Sequence, residues 1–279
     1  MKLSIITINR NNENGLRKTI TSVLNQSWSD FEYIIVDGAS TDNSVDVIKN
    51  EISSVPEGLN SRIQFISEAD TGVFNAMNKG IVMAKGDYLL FLNSGDFFVD
   101  NNVLSNVFCV MRETDILSCS CRVSKNGEQV FITTPPTNYT FGFFYNNSLA
   151  HQATFIKKDL FNKFGLYRED LKFKGDWEFF VRTIVIAGAS TQNIDVILTD
   201  YNMEGISSVS NNQYSIIKEK QSVFEEKALK CFVPDYDYFY QFKQNIAIME
   251  WAWSKKLFRM PILLIYRFIA NYRPKRNFK

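Results

Sequence analysis

Between Leu3 and Leu92 the chain alternates short, β-branched apolar runs with amphipathic segments, and that alternation constrains the fold more than any other feature. Leu3 to Ile8 and Phe31 to Val36 are largely apolar, β-branched runs of strand length, the pattern of buried strands. Ile63 to Ile66 and Tyr88 to Leu92 repeat it. Between these runs, Leu16, Ile20, Val23 and Leu24 share one helical face, Val45 and Ile48 mark a second helix, and Gly72 to Ala84 reads as a third. Strand–helix repetition of this kind predicts an α/β fold with a mostly parallel sheet flanked by helices. In open sheets of that type, ligands bind beyond the carboxyl ends of the strands. The informative residues are therefore Asn9 and Arg10, Asp37, Glu68 and Asp70, and Asn93 with Asp96.

After residue 100 the alternation loosens. Val103 to Met111 predicts a helix. Asp115 to Val123 and Gln129 to Thr133 predict strands joined at Asn126-Gly127, a hairpin signal. Gln152 to Ile156 predicts a short strand, Trp177 to Ala187 a helix, and Ile194 to Thr199 a late strand. From Gln213 the pattern is helical and ends in a basic tail. These changes divide the chain into residues 1–98, 99–210 and 211–279.

The bulk chemistry excludes several classes. A net charge of +1 over 279 residues gives no polyanion-binding surface, so no nucleic-acid partner is expected. The start of the chain enters a strand directly, and no uncharged apolar run of about 18 residues is present, so neither a leader nor a membrane span is expected. Of the four cysteines, only Cys119 and Cys121 are close, and no CxxC pair completes a zinc site. Free buried thiols in a reducing cytoplasm are the expectation. The 24 phenylalanines, concentrated after residue 130, suit either a dense core or an aromatic groove for sugar or lipid.

Several residues can do chemistry, each with a plainer alternative. Leu92-Asn93-Ser94-Gly95-Asp96 ends a strand in a tight polar turn. Its carboxylate suits Mg²⁺ or Mn²⁺, which prefer oxygen ligands and share them with phosphates; the alternative is a surface turn. Asp37 can accept hydrogen bonds from a base or ribose, or cap the next helix. Asn75, Asn78 and Lys79 share a helical face that points toward a nucleotide or into solvent. Asp176, in Lys174-Gly175-Asp176-Trp177-Glu178, can deprotonate a hydroxyl, or favour the start of a helix as an N-terminal acid. Arg182 follows one and a half turns later. His151, the only histidine, can be a base, a metal ligand, a phosphate contact or a structural residue.

Taken in order, these segments resemble the bacterial family-2 glycosyltransferases of polysaccharide biosynthesis. The matching pieces are Leu3-Ser-Ile-Ile-Thr7-Ile-Asn9-Arg10, Ile34-Ile-Val-Asp37-Gly-Ala-Ser40-Thr41-Asp42, Ser67-Glu68-Ala-Asp70-Thr-Gly72, Asn75-Ala-Met-Asn78-Lys79-Gly80, and Gly86-Asp87-Tyr88 leading into Leu92-Asn-Ser-Gly-Asp96. Thinner support comes from His151-Gln152, Gly175-Asp176-Trp177-Glu178 with Arg182, and Gly205-Ile206-Ser207. The resemblance implies a GT-A, Rossmann-like fold with a nucleotide-sugar-binding half (1–98), an acceptor-binding half (99–210) and a helical C-terminal region (211–279). It implies that Thr7, Asn9, Asp37 and Asp70 line a uracil and ribose pocket and that Lys79 approaches the phosphates. Arg10, Glu68 and Asn93 join the donor site on the same grounds. Asp96 matches the last acid of the family's metal motif, and Asp176 the position of its catalytic base, which implies inversion. Many members carry acids where Asn93 and Gly95 stand, so the implied Mg²⁺ or Mn²⁺ rests on Asp96. His151 and Arg182 are candidate acceptor or phosphate contacts.

The implied activity moves a hexose from a nucleotide-diphosphate sugar, a UDP-sugar, to a lipid-linked or growing polysaccharide acceptor. A non-catalytic nucleotide-sugar or glycan binder is the competing class. A dinucleotide oxidoreductase would need GxGxxG after the first strand, where Asn9-Arg10-Asn11-Asn12 stands instead. Finally, Trp251, Trp253, Lys255, Lys256, Arg259, Arg267, Arg273, Lys275 and Arg276 interleave with apolar residues. That stretch suits docking on an anionic membrane surface from the cytoplasmic side, a cap on the core, or a homodimer contact.

Overall fold

The computed structural model describes residues 2–125, 127–202, 212–226 and 228–255. Asn126 of the hairpin, the Gly205-Ile206-Ser207 motif and the basic stretch from Lys256 onward lie outside the described residues. The chain divides into two compact units, Met1–Val223 and Phe224–Lys279.

The first unit opens with the expected alternation: β1 (Leu3–Asn9), α1 (Glu13–Leu24), β2 (Phe31–Asp37), α2 (Ser44–Ser53), a short α3 (Glu57–Asn60), β3 (Ile63–Ser67), α4 (Val73–Met83) and β4 (Tyr88–Phe91). It continues through β5 (Phe97–Phe98), α5 (Val103–Val110), β6 (Ile116–Lys125), β7 (Glu128–Thr133), α6 (Phe141–Asn146), a 3₁₀ turn at His151–Ala153, β8 (Thr154–Lys157) and α7 (Lys158–Phe164). Helix α8 (Gly175–Phe180) runs into a π-helical turn (Val181–Ile186), and β9 (Thr191–Asn202) and α9 (Gln213–Phe224) follow. The strand expected over Gln152 to Ile156 therefore starts two residues later, because Ala153 N–H bonds back to Ala150 in a tight turn. The helix expected over Trp177 to Ala187 begins at Gly175 and widens midway. The late strand is longer than its apolar run, because β6 and β5 both pair with it.

The described strands form one sheet in the order β3-β2-β1-β4-β8-β6-β9-β5, with β7 paired to β6. Strands β3, β2, β1 and β4 are parallel neighbours, so their carboxyl ends share one edge. In β1 and β2, Leu3, Ile5, Phe31, Tyr33 and Ile35 join Leu16, Ile20, Val23, Val47 and Ile48 in one core. On the other face, α4 packs so closely that a Cβ on Gly80 would meet Ile6 at 2.4 Å. Each fully buried aliphatic side chain there is worth about 1.5–3 kcal/mol of transfer free energy. Gly86 shows the same tightness at the start of β4, where a Cβ would lie 2.6 Å from Ser4 N.

Some of the late phenylalanines belong to the core, whereas Phe131, Phe164, Phe232, Phe239 and Phe242 are exposed. Phe91, Phe161, Tyr167 and Phe179 contact one another with ring centroids 4.2–6.3 Å apart, and Phe144, Phe155 and Phe180 are fully buried. The thiols divide: Cys119 and Cys121 are buried, whereas Cys109 and Cys231 are exposed, contrary to the expectation that all are buried. In the second unit, α10 (Val233–Ser254) exposes Tyr238, Phe239, Phe242, Ile248 and Trp251. No helix among the described residues is long and apolar enough to cross a membrane.

Candidate active site

The parallel register places Asn9 beside Asp37 and Asp37 beside Ser67, at the ends of β1, β2 and β3. The Asp37 carboxylate is completely buried. It accepts hydrogen bonds from Asn9 Nδ2 (2.9 Å), the Ser40 hydroxyl (2.5 Å), the Ser40 N–H (2.9 Å) and the Ser67 hydroxyl (2.7 Å). A carboxylate has about four lone-pair sites, and this one uses them all within the protein. Burial opposes its ionisation, but the bonds from Ser40, Ser67 and Asn9 outweigh that and hold its pKa below the usual carboxylate value. Asp37 thus stands at the strand end as anticipated, and it organises the loops around it. Ser40 and Ser67, which make that possible, were not singled out from the sequence. Asn9 Oδ1, by contrast, is buried without a hydrogen-bond partner.

Asp70 follows β3 and packs over Gly38, whose missing side chain makes room: a Cβ there would lie 2.1 Å from Asp70 Oδ2. The exposed Arg10 guanidinium lies 3.8 Å from Asp70 Oδ1. Lys79 Nζ contacts Glu68 at 2.8 Å and donates to the Ala69 carbonyl at 2.7 Å. Loops after β1, β2 and β3 therefore meet. Thr7 departs from expectation. It is completely buried, and its hydroxyl bonds to the Leu92 carbonyl (2.7 Å) and the Tyr33 hydroxyl (2.9 Å). It braces the strands beneath the loops instead of lining a pocket, because it sits two residues short of the strand end. The polar stripe on α4 is also used internally. Asn78 donates to the Tyr167 carbonyl and Glu169, and Asn75 donates to Glu169, tying α4 to the segment after α7.

The turn after β4 joins the same edge. Ser94 N–H bonds to Ile8 O, and Asn12 Nδ2 donates to Ser94 O at 3.0 Å. Gly95 adopts φ 107°, a left-handed conformation that favours glycine. Its N–H donates to the Thr19 hydroxyl (3.0 Å), which in turn donates to the Asp96 carbonyl (2.7 Å). Asp96 is 6% exposed. Its hard carboxylate oxygens suit Mg²⁺ or Mn²⁺. Among the described residues no group of three or more His, Cys, Asp or Glu side chains could hold an ion. A single carboxylate matches the way Mg²⁺ is commonly held, by one or two protein oxygens with water and phosphate completing its shell.

From this turn a polar chain crosses to the second half. Asn93 Nδ2 lies 3.2 Å from His151 Nε2, and His151 Nδ1 lies 3.0 Å from Asp176 Oδ2. The other oxygen, Asp176 Oδ1, accepts the Trp177 N–H at 2.7 Å. Burial would raise the Asp176 pKa, but the bond and charge of His151, then Lys174 and the Trp177 N–H, lower it. Burial would lower the His151 pKa, but Asp176 and, more weakly, Asp96 raise it above the ordinary histidine value. The loop before α8 is pinned by a residue that no local sequence signal singles out. The Glu219 carboxylate on α9 accepts the N–H groups of Lys172 (2.8 Å), Phe173 (2.9 Å) and Lys174 (3.0 Å). Arg182 is engaged elsewhere. Its guanidinium binds Glu178 at 2.9 and 3.1 Å and donates to the Phe164 and Leu166 carbonyls, clamping α8 to the end of α7. A cavity of about 640 Å³, lined by Lys2, Lys85, Phe108 and Lys157 among others, opens at the amino ends of β1 and β4 and contains none of these site residues.

Likeness to known proteins bears on the family and the fold. The model of the family described as "Glycosyl transferase family 2" matches residues 4–171. A PGL/p-HBAD biosynthesis glycosyltransferase of Mycobacterium bovis (strain BCG / Pasteur 1173P2) is 27% identical over 196 residues, covering 67% of this chain and 71% of its own. Among solved structures, S. aureus TarS 1-349 in complex with UDP superposes with a TM-score of 0.60 at 19% identity over 72% of this chain, which spans 60% of that one. A mannosyltransferase from Pyrobaculum calidifontis, in complex with GDP-Man and Mn²⁺, superposes with a TM-score of 0.63 at 14% identity over 99% of this chain and 82% of its own. These likenesses show the fold, a GT-A type α/β sheet.

Proposed function

The chain belongs to glycosyl transferase family 2 and is a glycosyltransferase; on that premise we propose that it moves a hexose, with inversion, from a UDP-sugar to a saccharide or lipid-linked saccharide. One observation carries the reading. Residues from six separate segments, Asn9, Asp37, Asp70, Asp96, His151 and Asp176, are gathered by contacts among the loops at the carboxyl edge of the parallel strands and by the Asn93–His151–Asp176 chain.

In this reading the loops after β1, β2 and β3 hold the nucleotide. Asn9 Oδ1 is the unsatisfied acceptor there, suited to a base N–H, and Asp37 keeps Asn9, Ser40 and Ser67 in register. Arg10 and Lys79 are the cations nearest Asp70 and Glu68, beside the ribose and phosphates. Asp96 would hold Mg²⁺ or Mn²⁺, which supplies charge neutralisation for a departing diphosphate. Asp176 takes the proton of the acceptor hydroxyl as that oxygen bonds to the anomeric carbon and the bond to the diphosphate breaks on the opposite face. Its ionised state at neutral pH, favoured by His151 and Lys174, keeps it ready to accept. The mycobacterial relative's name, with its place in PGL/p-HBAD biosynthesis, supports a lipid-linked acceptor. The basic stretch after Ser254 and the exposed aromatic residues of α10 support a peripheral position on an anionic membrane surface. Flotation with anionic vesicles tests that part: the full chain should float, and a chain ending at Ser254 should float less.

The main test is a panel of nucleotide sugars, with and without Mn²⁺, read by thermal shift and by release of the nucleotide diphosphate. One UDP-sugar should stabilise the protein by about 2.7 kcal/mol at one hundred times its Kd. It should be turned over by the wild type and bound but not turned over by Asp176→Asn. Binding without turnover by the wild type would leave a nucleotide-sugar binder in place of the enzyme.

A further inference from the structure

His151 occupies an unusual position between the two sides of the site. Both of its ring nitrogens are in contact with protein groups: Nδ1 with the Asp176 carboxylate at 3.0 Å, and Nε2 with the Asn93 amide at 3.2 Å. Its side chain is 21% exposed and that of Asp176 is 16% exposed. Asn93 Oδ1 is buried and has no hydrogen-bond partner. An amide side chain has nearly the same shape with its oxygen and nitrogen exchanged, so the Asn93 site admits two orientations. With Nδ2 toward the ring, Asn93 donates to an unprotonated Nε2. Turned over, it presents Oδ1 to a protonated Nε2. Either orientation leaves Nδ1 carrying its proton toward Asp176.

From this geometry we propose that His151 is a positioning residue for the acceptor-side carboxylate, fixed in both of its charge states by an Asn93 amide that turns over between them. The inference rests on the transferase reading above and adds to it the device that orients Asp176. His151 therefore contacts neither phosphate nor acceptor. It links the turn that carries Asp96 to the helix that carries Asp176, and it prevents the carboxylate from rotating away from an incoming hydroxyl. The groups on the elements packed around the ring include Asp176 and Lys174 at α8, Asp96 on the turn after β4, Cys121 and Arg122 on β6, and Asp200 on β9, which is paired with Arg122. The two nearest carboxylates, Asp176 and Asp96, favour a protonated ring. In that state Asn93 satisfies the Nε2–H as an acceptor, as it satisfies the unprotonated nitrogen as a donor.

His151 is the only histidine in the chain, so its ring nitrogens can be followed in the full-length protein labelled with ¹⁵N-histidine, without assignment and without any ligand. Nδ1 should carry a proton throughout the titration, and Nε2 should gain one with a midpoint above the ordinary histidine value. Asp176→Asn should move that midpoint down. Asn93→Ala should let the Nε2–H tautomer appear in the neutral form. A wild-type neutral ring protonated on Nε2, or a midpoint indifferent to Asp176→Asn, overturns the proposal. A second reading uses the sugar nucleotide selected by the panel. His151→Ala should lower its turnover about tenfold or more through lost orientation, with UDP affinity nearly unchanged. His151→Asn, which restores a donor near the Nδ1 position, should recover part of the rate. Wild-type turnover in His151→Ala sinks this inference and leaves the transferase reading intact. A panel with no donor sinks the transferase reading and leaves the ring geometry to the spectra.

Discussion

Replacing Asp37 by Asn is the most direct test of how the strand ends are held together. The change preserves shape and removes the charge and one acceptor oxygen. If the asparagine oxygen keeps the bonds from Asn9 and the Ser40 hydroxyl, its NH₂ group must face the Ser67 hydroxyl and the Ser40 N–H. The hydroxyl can rotate to accept. The backbone N–H cannot, so one hydrogen bond to a charged acceptor is lost and a partly buried donor is left unpaired. Hydrogen bonds to charged groups are worth about 1.5–3 kcal/mol, and the remaining ones weaken without the charge, so the loss should be about 3 kcal/mol. For a cooperative unit the size of Met1–Val223, that is a fall in Tm of about 6–12 °C. The pH dependence has a defined sign. The folded pKa of Asp37 is depressed, so its contribution is complete above the unfolded carboxylate pKa and disappears as pH falls through the folded value. Calorimetry or circular-dichroism melts from pH 7 downward should show the gap between wild type and variant closing on the acid side. A gap under about 2 °C at pH 7, or one that stays constant into acid, would refute the claim that this carboxylate is the hub of the strand-end loops.

Other consequences follow from particular contacts. Gly86→Ala puts a methyl 2.6 Å from Ser4 N and 2.7 Å from Leu3 C, backbone atoms that cannot move alone; chemical denaturation should show a loss of about 1–3 kcal/mol. Glu219→Ala frees three backbone N–H groups before α8, and hydrogen exchange should find Lys172, Phe173 and Lys174 less protected while the β1–β4 amides are unchanged. Lys220 is held at a pKa of about 8 by burial and then by Lys174, below its unfolded value. The unfolded chain binds the extra proton between those two values, so stability should rise with pH across that window, and Lys220→Met should abolish the rise in melts at pH 7 and pH 9.5. Asp96→Asn should erase any extra thermal stabilisation that Mn²⁺ gives in the presence of UDP, and an equal Mn²⁺ effect in both proteins would remove Asp96 from the metal's coordination.

The strands β1 to β4, the helices between them and the polar residues at their ends were legible because their signals are local. Apolar runs, helical periodicity and strand-end polarity all lie within a few neighbouring residues, so Asn9, Asp37, Asp70 and Asp96 could be named and the sheet edge foreseen. What each side chain does there depended on distant partners. Thr7 reads like a pocket residue, yet its hydroxyl meets Leu92, 85 residues away. Asn78 reads like part of a polar stripe, but Glu169 lies 91 residues further on. Arg182 reads like a free cation and is bound up by Glu178 and two carbonyls. The links from Asn93 to His151 and from His151 to Asp176 join segments 58 and 25 residues apart. No periodicity encodes such pairs, because a hydrogen bond is set by distance in space, and only the packed sheet brings these segments within reach.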